Sequence, residues 1–167
     1  MSAENQKNSN KLSAFILGLI SIIFTIVPLP DFLANFKPDW TLLLLIFLSI
    51  NIPKEFNMGT AFILGILVDV SQGTLLGQHA FAFLLVVFLT SKLHLQLRNY
   101  PLLQMTAIIC LILMIYHFIL FWINGVSGIS SSIYSYVGPV ISGTVLWPII
   151  SKLLGTLFLY STSKEKV

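Results

Sequence analysis

The sequence predicts an all-α integral membrane protein folded as a bundle of six membrane-spanning helices. Of its 167 residues, 56% are hydrophobic and 9% are charged, and the mean hydropathy is +0.92. Soluble domains are about one-quarter charged, so a soluble fold of this length could not cover so many apolar side chains. We expect one membrane domain over residues 12–160, between a disordered polar tail (1–11) and a basic tail (161–167).

The first predicted helix covers residues 12–27 and is an uncleaved span, because no cleavage pattern of small residues precedes its terminal Pro28-Leu29-Pro30. The other predicted helices cover residues 40–52, 57–70, 77–93, 101–123 and 139–160. At about 1.5 Å per residue, the second and third reach only roughly 20 Å of a hydrocarbon core of about 30 Å. They therefore either extend by a turn and cross upright, or form a re-entrant pair, which leaves four spans.

The distribution of basic residues predicts that both termini lie on the cytoplasmic side. With six spans, Lys37 alone lies outside, and Lys152 lies in the inner part of the sixth helix, from which its side chain can extend inward. The remaining basic residues all lie inside: Lys7, Lys11, Lys54, Lys92, Arg98, Lys164 and Lys166. This asymmetry follows the positive-inside rule.

Asp69 carries most of the functional argument, because a carboxylate at a bilayer centre costs about 2.5–3.5 kcal/mol on insertion scales. Ala61, Gly65 and Asp69 are spaced by four residues, so they share a helix face that a neighbouring helix can approach closely. Gly73 and Gly77 then break the helix, and free N–H groups at the start of the next helix can receive the carboxylate. Asp69 is therefore either a structural cap of the fourth helix or an acid that lines a pocket open to the outside.

His79 opens the fourth predicted helix and His117 lies in the outer half of the fifth, so both could face Asp69. Two histidines and an aspartate suit a metal ion, but the spacing matches no metal motif, and we expect hydrogen-bonded core histidines instead. Tyr116, Asn124 and Ser127 add polar groups on the outer side.

A basic link on the inner side is predicted from Lys92, His94 and Arg98. It is either an anchor near anionic lipid or a binding patch for a cytoplasmic protein. The sequence has no phosphate-binding loop, no nucleophile elbow, no zinc-protease motif and no paired carboxylates. We therefore expect no enzymatic activity, no cofactor and no nucleic-acid partner.

The region from residue 38 to 83 resembles the signature region of the MreD family of rod shape-determining membrane proteins. Four parts carry the resemblance: Pro38-Asp39-Trp40, Asn57-x-Gly59-Thr60-Ala61-Phe62, Gly65-x-x-x-Asp69, and Gly73-x-x-Leu76-Gly77-x-His79-Ala80. Two later parts, Arg98-Asn99 and Val145-Leu146-Trp147-Pro148, also fit the family.

The resemblance implies a multi-pass scaffold in the bacterial cytoplasmic membrane that binds MreC. It also implies a complex with the MreB filament and the peptidoglycan synthases of cell elongation, and a fold similar to the substrate-binding subunits of energy-coupling-factor transporters. A small-solute binding subunit is therefore the alternative function. In either class we expect an outward pocket with these candidate residues: Trp40, Gly65, Asp69, Gly73, Gly77, His79 and His117.

Overall fold

The computed structural model describes residues 15–28, 30, 35–53, 56, 58–129 and 132–164, with only the backbone of residues 157–164. All of the regular secondary structure within these ranges is helical. The helices are α1 (Phe15–Ile26), α2 (Trp40–Asn51), α3 (Met58–Gln72), α4 (Gln78–Asn99), α5 (Leu102–Val126) and α6 (Tyr134–Lys164). The predicted N-terminal tail and Lys54 lie outside the described residues, so the arrangement predicted for them stays a prediction.

Three of these helices are long and apolar enough to cross a membrane. The stretches are Gln78–Asn99, Leu102–Val126 and Tyr134–Thr156. The helices α1, α2 and α3 are apolar but shorter, with 12 residues in α2 and 15 in α3. The all-α class is confirmed and these three helices support the membrane character, while the number of spans stays a prediction.

The prediction that Lys92, His94 and Arg98 form a connection after the fourth helix is wrong, because α4 continues through these residues. Lys92, His94 and Arg98 all lie on the last turns of α4, which ends at Asn99. Residues 94–99 contain neither proline nor glycine, so nothing in them opposes a helix. The helix stops where Tyr100 adopts an extended conformation before Pro101, as a residue preceding proline prefers.

Helix α6 begins at Tyr134, five residues before its predicted start at Pro139, and continues to Lys164, beyond the predicted end at residue 160. The early start depends on tertiary contacts, which the local sequence does not specify. The backbone of Asn35 and Phe36 packs onto Gly138, where an added Cβ would lie only 1.8 Å from the Asn35 carbonyl oxygen. Asn124 Nδ2 also donates a hydrogen bond to Tyr136 Oη over 2.9 Å. These contacts hold residues 134–138 against α5 and against Asn35 and Phe36.

Helix α2 lies at the centre of the bundle, since its residues Thr41 to Ile50 are all buried. An apolar helix that is covered on every side is typical of a core position. Around it, α4 packs against α2, α3 and α5, and α6 packs against α5 and α2. Helices α3 and α4 approach closely at Gly65 of α3, where an added Cβ would lie 2.3 Å from the Ala80 Cα of α4. This confirms the prediction that the Ala61–Gly65–Asp69 face meets a neighbouring helix.

Candidate functional site

The Asp69 carboxylate caps the first turn of α4 from its position near the end of α3. Its Oδ2 accepts a hydrogen bond from the Gly77 N–H over 2.8 Å, and its Oδ1 accepts one from the His79 N–H over 3.0 Å. The first N–H groups of a helix have no partner within it and carry partial positive charge, so a carboxylate satisfies both needs. The predicted cap is therefore confirmed.

Two side chains complete the shell around Asp69. His79 Nδ1 lies 2.7 Å from Oδ1. Because a carboxylate can only accept, the Nδ1–H group is the donor of this hydrogen bond. Thr74 Oγ1 donates to the same oxygen over 3.0 Å, and the Thr74 N–H donates to the Asp69 backbone carbonyl over 3.1 Å. Thr74 is absent from the predicted site. Its only signal in the sequence is a hydroxyl in the loop that follows the acid.

The connection between α3 and α4 depends on two glycines with positive φ. Gly73 has φ 65° and Gly77 has φ 95°, and an added Cβ at either position would meet nothing within 4 Å. The requirement for glycine is therefore one of backbone conformation rather than space. Gly77 is the N-cap residue of α4, so its left-handed conformation aims its N–H at Asp69.

Replacing Gly77 with alanine is expected to lower the free energy of unfolding by about 1–2 kcal/mol, since an L-residue is strained at positive φ. The measurement is denaturation of the purified variant in mixed detergent micelles. Gly125→Ala is the matched control, because Gly125 lies in α5, has no positive φ and has open space around it. Equal stability of the two variants would contradict the conformational argument.

Tyr116 separates the two histidines that were expected to face Asp69. Its ring centroid lies 6.4 Å from that of His79 and 5.0 Å from that of His117. His117 turns away, and its Nε2 lies 3.3 Å from Asp39 Oδ2 without hydrogen-bond geometry. The prediction is thus right for His79 and wrong for His117, because the Tyr116 ring fills the space between them. Within the described ranges, no three His, Cys, Asp or Glu side chains are placed to hold a metal ion.

Two cavities lie near this site, and Asp69 lines neither of them. A polar cavity of about 400 Å³ is lined by Thr25, Ile26, Lys37, Asp39, Ser71, Gln72 and Pro139. An apolar groove of about 540 Å³ between α5 and α6 is lined by Cys110, Met114, His117, Phe118, Phe121, Ile133, Tyr136, Val137, Val140 and Ile141. The side chain of Asp69 is 0% exposed, so the interpretation in which it lines an open pocket is wrong. The carboxylate oxygens instead form hydrogen bonds with Thr74, Gly77 and His79, at the start of α4 and just before it.

Comparison with known proteins gives the family. The sequence model described as rod shape-determining protein MreD matches residues 6–157 of the chain. The chain belongs to the MreD family. A rod shape-determining protein MreD from Haemophilus influenzae is 27% identical over 146 residues, which is 86% of each chain. No solved structure matches this MreD-family chain, so the likeness to energy-coupling-factor transporter subunits stays a prediction.

The remaining candidates of this MreD-family chain are spread over the bundle. Trp40 is the first residue of α2, and its ring centroid lies 6.3 Å from that of Phe24 on α1. On the last turns of α4, Lys92 and Arg98 are exposed, and Lys92 Nζ lies 4.6 Å from the centroid of the Phe88 ring. Their roles in binding a partner or lipid stay predictions.

Proposed function

We propose that this protein is a non-enzymatic scaffold in the bacterial cytoplasmic membrane that helps to maintain rod shape. The observation that carries the proposal is the family match, which extends over residues 6–157 and so includes the Asp69 cap and all but the last residues of α6. The Haemophilus influenzae relative of similar length is named for rod-shape determination, which supports the same role here.

The proposed partner is MreC, which would dock on the extracytoplasmic side, with the MreB filament and the peptidoglycan synthases in the same complex. The α3–α4 connection is the proposed docking element. Because Asp69 holds both of its ends, the connection is fixed, and it presents the exposed apolar side chains of Leu75 and Leu76. Apolar side chains on a preorganised loop favour binding, because little conformational freedom is lost on association. Asp69 would then act as a positioning residue rather than as a contact.

Replacing Leu76 with aspartate is expected to lower the amount of MreC captured with the purified protein by about tenfold, which corresponds to about 1.4 kcal/mol of binding free energy. The matched control is Leu103→Asp. Leu76 is 72% exposed and Leu103 is 84% exposed, but the length of α4 separates them, so they lie at opposite ends of the bundle.

Both variants are also tested for restoring rod shape in cells depleted of their own MreD. The proposal expects Leu103→Asp to restore rods and Leu76→Asp to leave rounded cells. Unchanged capture of MreC by a folded Leu76→Asp variant would remove the α3–α4 connection as the docking element. Failure of the unmodified chain to restore rods would count against the proposed function itself.

The alternative function is that of a small-solute binding subunit of a membrane transporter, and the polar cavity of about 400 Å³ favours it. Its size lies within the range of about 300–1,000 Å³ that is usual for ligand pockets. A native mass spectrum of the purified protein distinguishes the two functions, because a transporter subunit would retain a small solute in stoichiometric amount.

A further inference from the structure

The polar cavity of about 400 Å³ holds two opposite charges that do not neutralise each other. Lys37 and Asp39 are two residues apart and both line the cavity, yet no ion pair joins them. Charges in a partly desolvated site gain much from a counter-charge and are costly without one. A cavity that keeps an ammonium group and a carboxylate apart is therefore complementary to a ligand that carries both charges.

Asp39 occupies a position at which an aspartate side chain would ordinarily cap the helix that follows it. It is the N-cap residue of α2, where an aspartate usually accepts a hydrogen bond from an N–H of the first turn. Here its carboxylate makes no such hydrogen bond. Instead it is 25% exposed, with Oδ2 directed towards the buried His117. The carboxylate thus lies at the cavity wall and is accessible from the cavity.

Lys37, which also lines the cavity, is held by the end of α1. Its Nζ donates a hydrogen bond to the Thr25 carbonyl oxygen, which lies in the last turn of α1 (Phe15–Ile26). A cation is favoured there by the negative end of the helix dipole. An ammonium group has three N–H donors, so this contact leaves donor capacity for an anion in the cavity. The Thr25 hydroxyl does not compete for the Lys37 ammonium group, because it already forms a hydrogen bond with Thr41 Oγ1 over 3.0 Å.

Next to this charged cavity lies an exposed apolar surface. Ile26 lines the cavity, and Ile23 and Phe24 on the same helix end are also exposed. The Phe24 and Trp40 rings lie against each other at this edge, and tryptophan is enriched where a membrane protein meets the lipid headgroups. The neighbouring surface therefore suits hydrocarbon chains, while the cavity suits a zwitterion.

We propose that this cavity binds the phosphoethanolamine headgroup of a membrane lipid, with the phosphate at Lys37 and the ammonium group at Asp39. The acyl chains then extend along the exposed face of α1. A choline headgroup has the same charges but no N–H to donate to Asp39, so the site discriminates against it. This assignment does not depend on the proposed scaffold function, because it rests on the cavity alone.

The test compares lipids that are retained by the purified full-length protein in nanodiscs containing equal amounts of phosphatidylethanolamine and phosphatidylcholine. Native mass spectrometry gives the ratio of the two retained lipids, which does not depend on the folded fraction. We expect the unmodified protein to prefer phosphatidylethanolamine by about tenfold or more, since a charge-assisted hydrogen bond contributes at least about 1.4 kcal/mol. Asp39→Asn is expected to reduce this ratio to near one.

A second variant and a control make the result specific to the cavity. Lys37→Gln is expected to lower retention of both lipids, because both carry the phosphate. Lys152→Gln, at an exposed cation of α6 outside this cavity, is expected to change neither the ratio nor the retention. Soluble phosphoethanolamine, added to the detergent-solubilised protein, distinguishes the source. Binding as tight as that of the lipid identifies a free zwitterion, whereas weaker binding identifies the lipid.

Equal retention of the two lipids by the unmodified protein would overturn the proposal, as would a ratio that is unchanged in Asp39→Asn. If no lipid is preferred but both cavity variants lose MreC, the cavity binds a protein segment and the lipid assignment is wrong. Thermal unfolding of each variant in detergent accompanies the lipid measurement, because Asp39 also contacts His117.

Discussion

Replacing Asp69 with alanine is expected to lower the free energy of unfolding by about 3–5 kcal/mol, because several donors lose their acceptor and each unsatisfied buried donor costs about 1–3 kcal/mol. The variant leaves the N–H groups of Gly77 and His79 and the hydroxyl of Thr74 without their acceptor. These donors are buried or half-buried, so water cannot fully replace the carboxylate. The measurement is denaturant titration of the purified protein in mixed micelles.

Asp69→Asn separates the loss of charge from the loss of the cap. The amide keeps one oxygen that can accept hydrogen bonds, but its NH₂ group opposes whichever donor it faces. We expect a loss of about 1–3 kcal/mol, between that of the alanine variant and the unmodified protein. Asp39→Asn is a useful comparison, because the Asp39 side chain is partly exposed and makes no cap hydrogen bond to α2, so its effect on stability should be smaller. If Asp69→Ala proved as stable as the unmodified protein, the cap would have no role in holding α3 and α4.

Gly65→Leu is expected to prevent the accumulation of folded protein, and Gly65→Ala to lower the free energy of unfolding by about 1–3 kcal/mol. An added Cβ would lie 2.3 Å from Ala80 Cα and 2.6 Å from Ala80 N, and both of these are backbone atoms. No side-chain rotation can relieve such a contact, so α3 and α4 must separate. Separation would also lengthen the hydrogen bonds from α4 to Asp69. The measurement is the yield of monodisperse protein together with its thermal unfolding midpoint.

Two further variants test whether this effect comes from the backbone of α4. Ala80→Gly removes only the Ala80 Cβ, which would lie 3.0 Å from the new atom, so it should not rescue Gly65→Ala. Gly155→Ala on α6 is the matched control, because an added Cβ there meets nothing within 4 Å. Full rescue by Ala80→Gly would show that the side chain, and not the backbone, limits the approach of the helices.

Local sequence information was sufficient to place the helices, although not all of their ends, and to offer the cap of α4 as one of two roles for Asp69. Long apolar runs interrupted by proline, glycine and charge place the helices, because backbone groups in an apolar environment must be satisfied within the helix itself. The cap was also predictable. Asp69 shares a helix face with Gly65, and the glycine break after it places free N–H groups within reach of the carboxylate.

Local information failed where a distant segment decides the outcome. The start of α6 at Tyr134 depends on Asn35, which is remote in the sequence, and on Asn124 of the preceding helix α5. The separation of His79 from His117 depends on how the Tyr116 ring packs, and helical spacing does not specify that packing.

By itself, the sequence determined the all-α class and the approximate positions of the helices, and it limited Asp69 to a cap of α4 or an acid in an open pocket. These features follow from side-chain polarity, from periodicity and from the conformations that glycine and proline allow. Only the tertiary structure decided that Asp69 is closed off and that Lys37 and Asp39, rather than Asp69, line the polar cavity. The reason is that access to a charge depends on which helices cover it, and this is fixed by packing between segments that are far apart in the chain.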